Sequence, residues 1–379
     1  MDFGCALGAP GNDGLMKNPL ASLLPGRTTE GQGAPPTKRI NLALQGGGAH
    51  GAFTSGVLEY LLGDERLVIE GVSGTSSGAV NAVMLADGLA RGGRTEAQKR
   101  LTDFWRAVSS TGDLPPLQRA VVERLLSFAP LDNSPIQAWF DAMSRYFSPY
   151  DFNPLNINPL RDLFERFVDF AALRAFAGLQ VFISATNVQT GRVRIFPRDK
   201  ITADAVMASA CLPELFRAVE IDGVPYWDGG YLGNPVIFPF FGTTQAEDVL
   251  VVQINPLVRQ KTPTSASEIM YRLNEITFNA PLLAEYRAME FVARLIDQGR
   301  LPHGTGPGQY RRINVHRVVL DRFGTQLDAS SKLTTDYDFF EMLRVNGKRA
   351  ARRFLDEHFD DIGVRSTVDL RAEAQAEWA

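Results

Sequence analysis

The chain has 379 residues, more than the ~100 to 200 of an ordinary domain, so one elaborated α/β domain or two smaller ones are both open. Its 39 Lys and Arg against 43 Asp and Glu, a net charge of -4, leave no basic surplus for a nucleic-acid backbone and exclude DNA or RNA as the expected partner. Hydrophobic residues at 45% and charged ones at 22% exclude a wholly disordered chain or a coiled coil, while the two cysteines, Cys5 and Cys211, exclude a disulfide framework and a Cys/His metal cluster.

Seven glycines and five prolines fall among the first 38 residues, a density that predicts an unstructured tail over 1–38. Order is expected from Ile40, where Ile40-Asn41-Leu42-Ala43-Leu44 reads as a strand. That strand meets Gly46-Gly47-Gly48 and then a helix over 49–62, with Val57, Leu58, Leu61 and Leu62 at helical spacing. A second unit follows: Leu67-Val68-Ile69 with Val72 as a strand, a sharp turn over 74–78, and a small-residue helix over 79–90. Strand and helix in alternation predict a parallel sheet.

Residues 95–176 read as a helical insertion broken by Pro115, Pro116, Pro130, Pro135, Pro149 and Pro154. Its aromatic run, Trp139, Phe140, Tyr146, Phe147, Tyr150 and Phe152, suits a helix core or a surface that covers an acyl pocket or touches a bilayer. Beyond it, 179–185 and 192–196 read as a hairpin, 202–211 as a helix, 219–226 as a pair turning on Asp222-Gly223, and 249–254 as a buried strand. After about residue 260 the pattern is mostly helical, apart from a Gly/Pro-rich loop at 302–309 and a strand-like stretch at 312–320. No run of 18 or more apolar residues and no secretory-signal pattern is present, so the expected compartment is the cytoplasm, with peripheral membrane contact left open.

Three motifs bear on chemistry. Gly74-Thr75-Ser76-Ser77-Gly78 is a Gly-x-Ser-x-Gly set between a strand and a helix. A nucleophile on a tight, strained turn needs glycine on both sides so that strand and helix can approach, although a plain turn with capping serines fits the same letters. Gly46-x-Gly48-x-x-Gly51 exposes successive backbone N–H groups to an anion, either a phosphate or a tetrahedral oxyanion. It also satisfies the dinucleotide-binding fingerprint, with Glu70 where a ribose-binding acid is expected, but the next strand ends in the serine elbow and favours donors beside a nucleophile.

The third motif is Asp228-Gly229-Gly230. A serine needs a base, yet none of the four histidines has the context of a triad member: His50 lies in the glycine turn, His303 in the Gly/Pro loop, His316 on a strand and His358 on a charged helix. An Asp followed by glycines can contact a serine directly, although alone the motif reads first as a turn.

Together and in this order, the three motifs resemble the patatin-like phospholipase family over roughly residues 40–240. The resemblance implies an α/β fold, a central mostly parallel sheet flanked by helices in three layers, to which the sequence pattern adds a helical insertion and a helical C-terminal extension. It implies a catalytic domain over 39–242, while 243–379, outside the resemblance, reads by its pattern as a last core strand and a mostly helical extension. It further implies hydrolysis of lipid acyl esters without cofactor or metal. Ser76 matches the nucleophile and Asp228 the base, Gly46, Gly47, Gly48 and Gly51 the oxyanion turn, and Gly74, Gly78, Gly229 and Gly230 the supporting turns. The family usually carries Arg or Lys where this chain has His50. An esterase acting on another ester, such as a storage polyester, and a nucleotide- or lipid-binding protein without turnover remain open, as does oligomeric state.

Overall fold

The chain divides into two units, Met1–Pro36 and Thr37–Ala379. The computed structural model describes residues 37–109, 148–152, 159–213, 216–320 and 337–374, all in the second unit. Of the expected tail over 1–38, only Thr37 and Lys38 are described, and Lys38 already opens the first strand. Trp139, Phe140, Tyr146 and Phe147 lie outside the described residues.

The strands are β1 (Lys38–Leu44), β2 (Leu67–Gly74), β3 (Gln180–Asn187), β4 (Arg192–Pro197), β5 (Val219–Ile221), β6 (Val224–Asp228), β7 (Asp248–Gln253) and β8 (Asn314–Val319). They form one sheet in the order β5-β6-β3-β2-β1-β7-β8, with β4 pairing β3 off that path. β3–β2–β1–β7–β8 is parallel throughout, while β4, β5 and β6 are antiparallel additions around β3. The β3–β4 hairpin closes through a four-residue loop, 188–191, that ends on Gly191 at positive φ, whereas β5–β6 turns on the two residues Asp222 and Gly223, both at the positive φ of a two-residue hairpin turn.

The helices are α1 (Gly51–Leu62), α2 (Ser77–Ala107), α3 (Pro149–Phe152), α4 (Pro159–Phe167), α5 (Phe170–Ala175), α6 (Ala203–Ser209), α7 (Ala266–Asp297), α8 (Tyr337–His358) and α9 (Leu370–Ala374). Alternate residues of the central strands enter different cores, as the two-residue period of a strand requires. Leu42, Leu44, Leu250 and Val252 pack with α1, α2 and α8, whereas Ala43, Val249 and Val251 pack with α7 and α9. The result is helix, sheet, helix, and a sheet buried on both faces explains the consecutive apolar residues Leu42, Ala43 and Leu44 of β1.

Two elements differ from expectation. Residues 95–107, read as the start of the insertion, instead continue α2 after a break at Gly92 and Gly93 (φ 74), and bury Leu101, Phe104 and Trp105 in the main core. Beyond residue 242 the expected core strand is β7, paired with β1, but it is not the last: β8 pairs with β7, and α8 lies across α1.

The α1–α8 crossing depends on two glycines. A Cβ on Gly56 would collide with Arg344 O, and one on Gly347 with Phe53 O. Around this contact Glu59, 6% exposed, is matched by Arg344 at 2.6 Å and Lys348 at 2.7 Å. Gly347→Ala forces backbone apart in a packed core and is expected to lower stability by about 2 kcal/mol, read as an earlier urea midpoint at unchanged slope. An unshifted midpoint would show that the crossing can relax.

Candidate active site

The strand register brings two of the three motifs together. β4 occupies one edge of β3 along residues 182–187, so β2 and β6 share the other edge and run toward each other. Gly74 at the end of β2 pairs with Ile183, and Asp228 at the end of β6 pairs with Ala185. Ser184 lies between them: its hydroxyl is 2.6 Å from that of Thr75, and both hydroxyls reach Gly233 O, at 2.8 and 2.6 Å. On the other side Gly229 packs so closely on Ser184 that a Cβ there would strike its carbonyl. The serine elbow and the Asp228 turn are thereby fixed to one residue of β3.

Among the described residues Ser76 and Asp222 alone are non-glycine with positive φ. Ser76 has φ 53 and ψ -122, a conformation that costs about 1–3 kcal/mol and persists only where neighbours impose it. They do: its N–H donates to Ser209 Oγ at 2.9 Å, Gly78 N–H to Thr75 O at 2.8 Å, and Val80 N–H to Ser76 O at 3.1 Å. A Cβ on Gly74 would collide with Gly78 O and one on Gly78 with Leu44 O, so β1, β2 and α2 meet at distances that only glycine permits. Ser76 is the N-cap of α2 and 4% exposed, at the positive end of the helix dipole.

The glycine turn follows β1 and abuts the elbow, since a Cβ on Gly46 would meet Ser76 Cβ at 2.7 Å. Its first two amides are committed: Gly46 N–H donates to Asn234 Oδ1 at 2.7 Å and Gly47 N–H to Ser77 Oγ at 3.1 Å. Gly48 has φ 58 and opens a 3-10 turn, Gly48–His50. Among the described residues neither Gly48 N–H nor Ala49 N–H meets an acceptor, so the donors available to an anion sit further along the turn than expected. The Gly51 N–H closes that turn, and its bare Cα gives Ser77 and Trp105 room to pack. His50 is buried at the same turn, 3% exposed.

Asp228 is fully buried and held on three sides. Its Oδ1 accepts from Gly230 N–H at 2.6 Å, its N–H donates to Cys211 O at 2.7 Å, and its carbonyl accepts from Thr186 Oγ1 at 2.8 Å. The Phe278 ring fills the space a Cβ on Gly230 would need.

Sequence reasoning missed the amides that hold the glycine turn. Besides Asn234 on Gly46 N–H, Asn255 Nδ2 donates to Gly46 O at 2.7 Å. Gln45 Oε1 accepts from the N–H groups of Ile254 and Asn255, both at 2.9 Å, and Gln45 Nε2 donates to Asn279 Oδ1 at 2.8 Å. All four side chains are buried. Asn234 lies on the turn that begins with Asp228, so the segment carrying the carboxylate also grips the segment carrying the amides. Asn and Gln are usually surface residues, and nothing in a single sequence marks these four as buried partners.

Glu70 has no part in the site. It sits in mid-β2, pairs with Arg39, and accepts from Gln245 and Ala246 N–H at 2.8 Å each, on the segment entering β7 rather than beside the glycine turn. The ribose-binding role weighed for it is therefore removed. Tyr150, the described side chain of the aromatic run, is 51% exposed with the Arg217 guanidinium 4.6 Å over its ring.

A family model described as patatin-like phospholipase matches residues 42–241, a span from β1 through the Asp228 turn. A search of curated proteins finds no match. Among solved structures, VipD from Legionella pneumophila is similar at 14% identity and a TM-score of 0.39, with 86% of this chain and 68% of VipD covered. The type III effector protein ExoU is similar at 14% identity and a TM-score of 0.36, with 85% of this chain covered, which spans 53% of ExoU. A heterodimeric ExoU-SpcU complex from the type III secretion system of Pseudomonas aeruginosa matches at 15% identity and a TM-score of 0.25, with 90% of this chain and 74% of that chain covered.

Proposed function

The chain belongs to the patatin-like phospholipase family, and on that premise we propose that it cleaves lipid acyl esters, as a phospholipase A or lysophospholipase, with Ser76 as nucleophile and Asp228 as its base. The observation that carries this reading is the shared edge of β3, which delivers a strained serine and a buried carboxylate from opposite directions onto Ser184. A strained elbow persisting against its own cost is the arrangement expected where a hydroxyl must be presented to substrate.

The reaction has two halves. Asp228 takes the Ser76 hydroxyl proton as Oγ attacks the ester carbonyl, and the oxyanion of the tetrahedral intermediate accepts from Gly48 and Ala49 N–H. Collapse breaks the bond to the alcohol, which leaves with the proton held by Asp228, and an acyl-serine remains. Water then gives a proton to Asp228 and attacks the acyl carbon, and the second collapse releases the fatty acid and returns the proton to Ser76. Incubation with phosphatidylcholine and lysophosphatidylcholine, with free fatty acid quantified by mass spectrometry, is expected to show release from at least one. A folded protein that releases none from either would contradict the phospholipid assignment.

Asn234 is a positioning residue in this account. Asn234→Ala leaves Gly46 N–H without its acceptor and loosens the turn that aims the next amides. Since loss of one oxyanion donor costs about 10²- to 10³-fold in kcat, misaiming both is expected to lower kcat about 10²-fold on a water-soluble ester, with KM changed less than threefold. An equal fall in KM and kcat, or no change in kcat, would remove Asn234 from catalysis.

A further inference from the structure

The outward face of α7 is left unused by the reaction. Ile269, Met270, Leu273 and Ile276 are spaced to share one face of the helix and are 43%, 55%, 51% and 51% exposed. Single exposed apolar residues are ordinary, but four adjoining ones on consecutive turns form a patch. The inner face of the same helix supports the site: Phe278 fills the space over Gly230, Phe278 O accepts from Asn234 Nδ2 at 3.1 Å, and Asn279 accepts from Gln45 at 2.8 Å. Leu232, just past the Asp228 turn, and Val258, just past β7, add exposed apolar surface at 39% and 74%.

Charge gives the patch a sign. Every acid of α7 is engaged elsewhere. Glu268 accepts from the N–H groups of Thr264 and Ser265, which hold its carboxyl down to about 2. Glu275 pairs with Arg259 and Arg272, Glu285 accepts from Ile237 N–H, Glu290 pairs with Arg294, and Asp297 with Arg312. Arg287 is exposed on the helix with no acidic partner among the described residues, and Lys261, whose charge also acts on Glu268, is exposed just before its start. An apolar stripe edged by cations is the character of a helix lying in the headgroup region of an anionic bilayer. Among the described residues no helix is long and apolar enough to cross a membrane, so contact here is along the surface.

We propose that this face of α7 is a lipid-contact surface that seats the Ser76 site on a negatively charged bilayer. The inference rests on the hydrolase reading only in supplying the reason, since an ester held in a bilayer must be met at its surface. Its test is co-sedimentation of the full chain with phosphatidylcholine vesicles, with and without phosphatidylglycerol, for wild type, the double variant Ile269→Glu/Leu273→Glu, and Arg287→Glu. The double variant is expected to lower vesicle binding at least tenfold on both compositions and to slow hydrolysis of vesicle phospholipid in step, while turnover of p-nitrophenyl butyrate changes less than twofold. Arg287→Glu is expected to lower binding about fivefold on the anionic vesicles and less than twofold on the neutral ones. Unchanged binding by the double variant would overturn the proposal. So would light scattering that finds a wild-type dimer which the double variant splits, since the face would then join two copies. Failure of wild type to turn over p-nitrophenyl butyrate would count against the hydrolase reading, and sedimentation would still decide the surface.

Discussion

Ser76→Ala is expected to lower kcat/KM by at least ~10⁴-fold on any ester the protein turns over, the scale seen when a serine nucleophile is removed. The loss should come without unfolding, because the backbone contacts that fix the elbow, from Ser76 N–H to Ser209 and from Val80 N–H to Ser76 O, do not involve Oγ. A companion variant separates chemistry from strain. Glycine accepts φ 53 without a Cβ penalty, so Ser76→Gly should be equally inactive yet more stable than wild type by about 1 kcal/mol, read from the urea midpoint. Turnover above ~1% of wild type in folded Ser76→Ala would mean that another group attacks the ester.

Asp228→Asn is expected to lower kcat about 10³-fold, within the range for losing a general base. The amide keeps the shape and can still accept from Gly230 N–H through Oδ1, so the turn should hold while the proton acceptor is lost. In wild type the acid limb of the kcat/KM profile should report ionisation of this base, and in the variant that limb should vanish from the residual activity. A variant that keeps both rate and limb would place the base elsewhere.

How much was legible in the sequence depends on how local the physics is. Gly74, Gly78 and Gly46 stand where a Cβ would strike backbone or the elbow serine, so fixed glycine offsets carry the geometry openly. The mostly apolar run of β1 and the strand–helix alternation after it likewise announced a buried parallel centre. What stayed hidden is long-range. That β2 and β6 share one edge of β3 follows from pairings far apart in the chain, and periodicity says nothing about an edge. The commitment of Gly46 and Gly47 N–H to Asn234 and Ser77, which moves the available donors to Gly48 and Ala49, depends on side chains that look like ordinary surface residues. The continuation of α2 past Gly93 was obscured by the glycines themselves, which read as an end where the chain folds back and resumes.

Central to the proposed reaction is that Ser76 is an activated nucleophile, made so by Asp228. A fluorophosphonate probe tests it directly, with intact mass and peptide mapping of the labelled protein and with Ser76→Ala and Asp228→Asn alongside. A single adduct mapped to Ser76, absent from Ser76→Ala and formed at least tenfold more slowly in Asp228→Asn, is the predicted result. An adduct on another serine, or labelling of Ser76 that Asp228→Asn leaves unchanged, would contradict it.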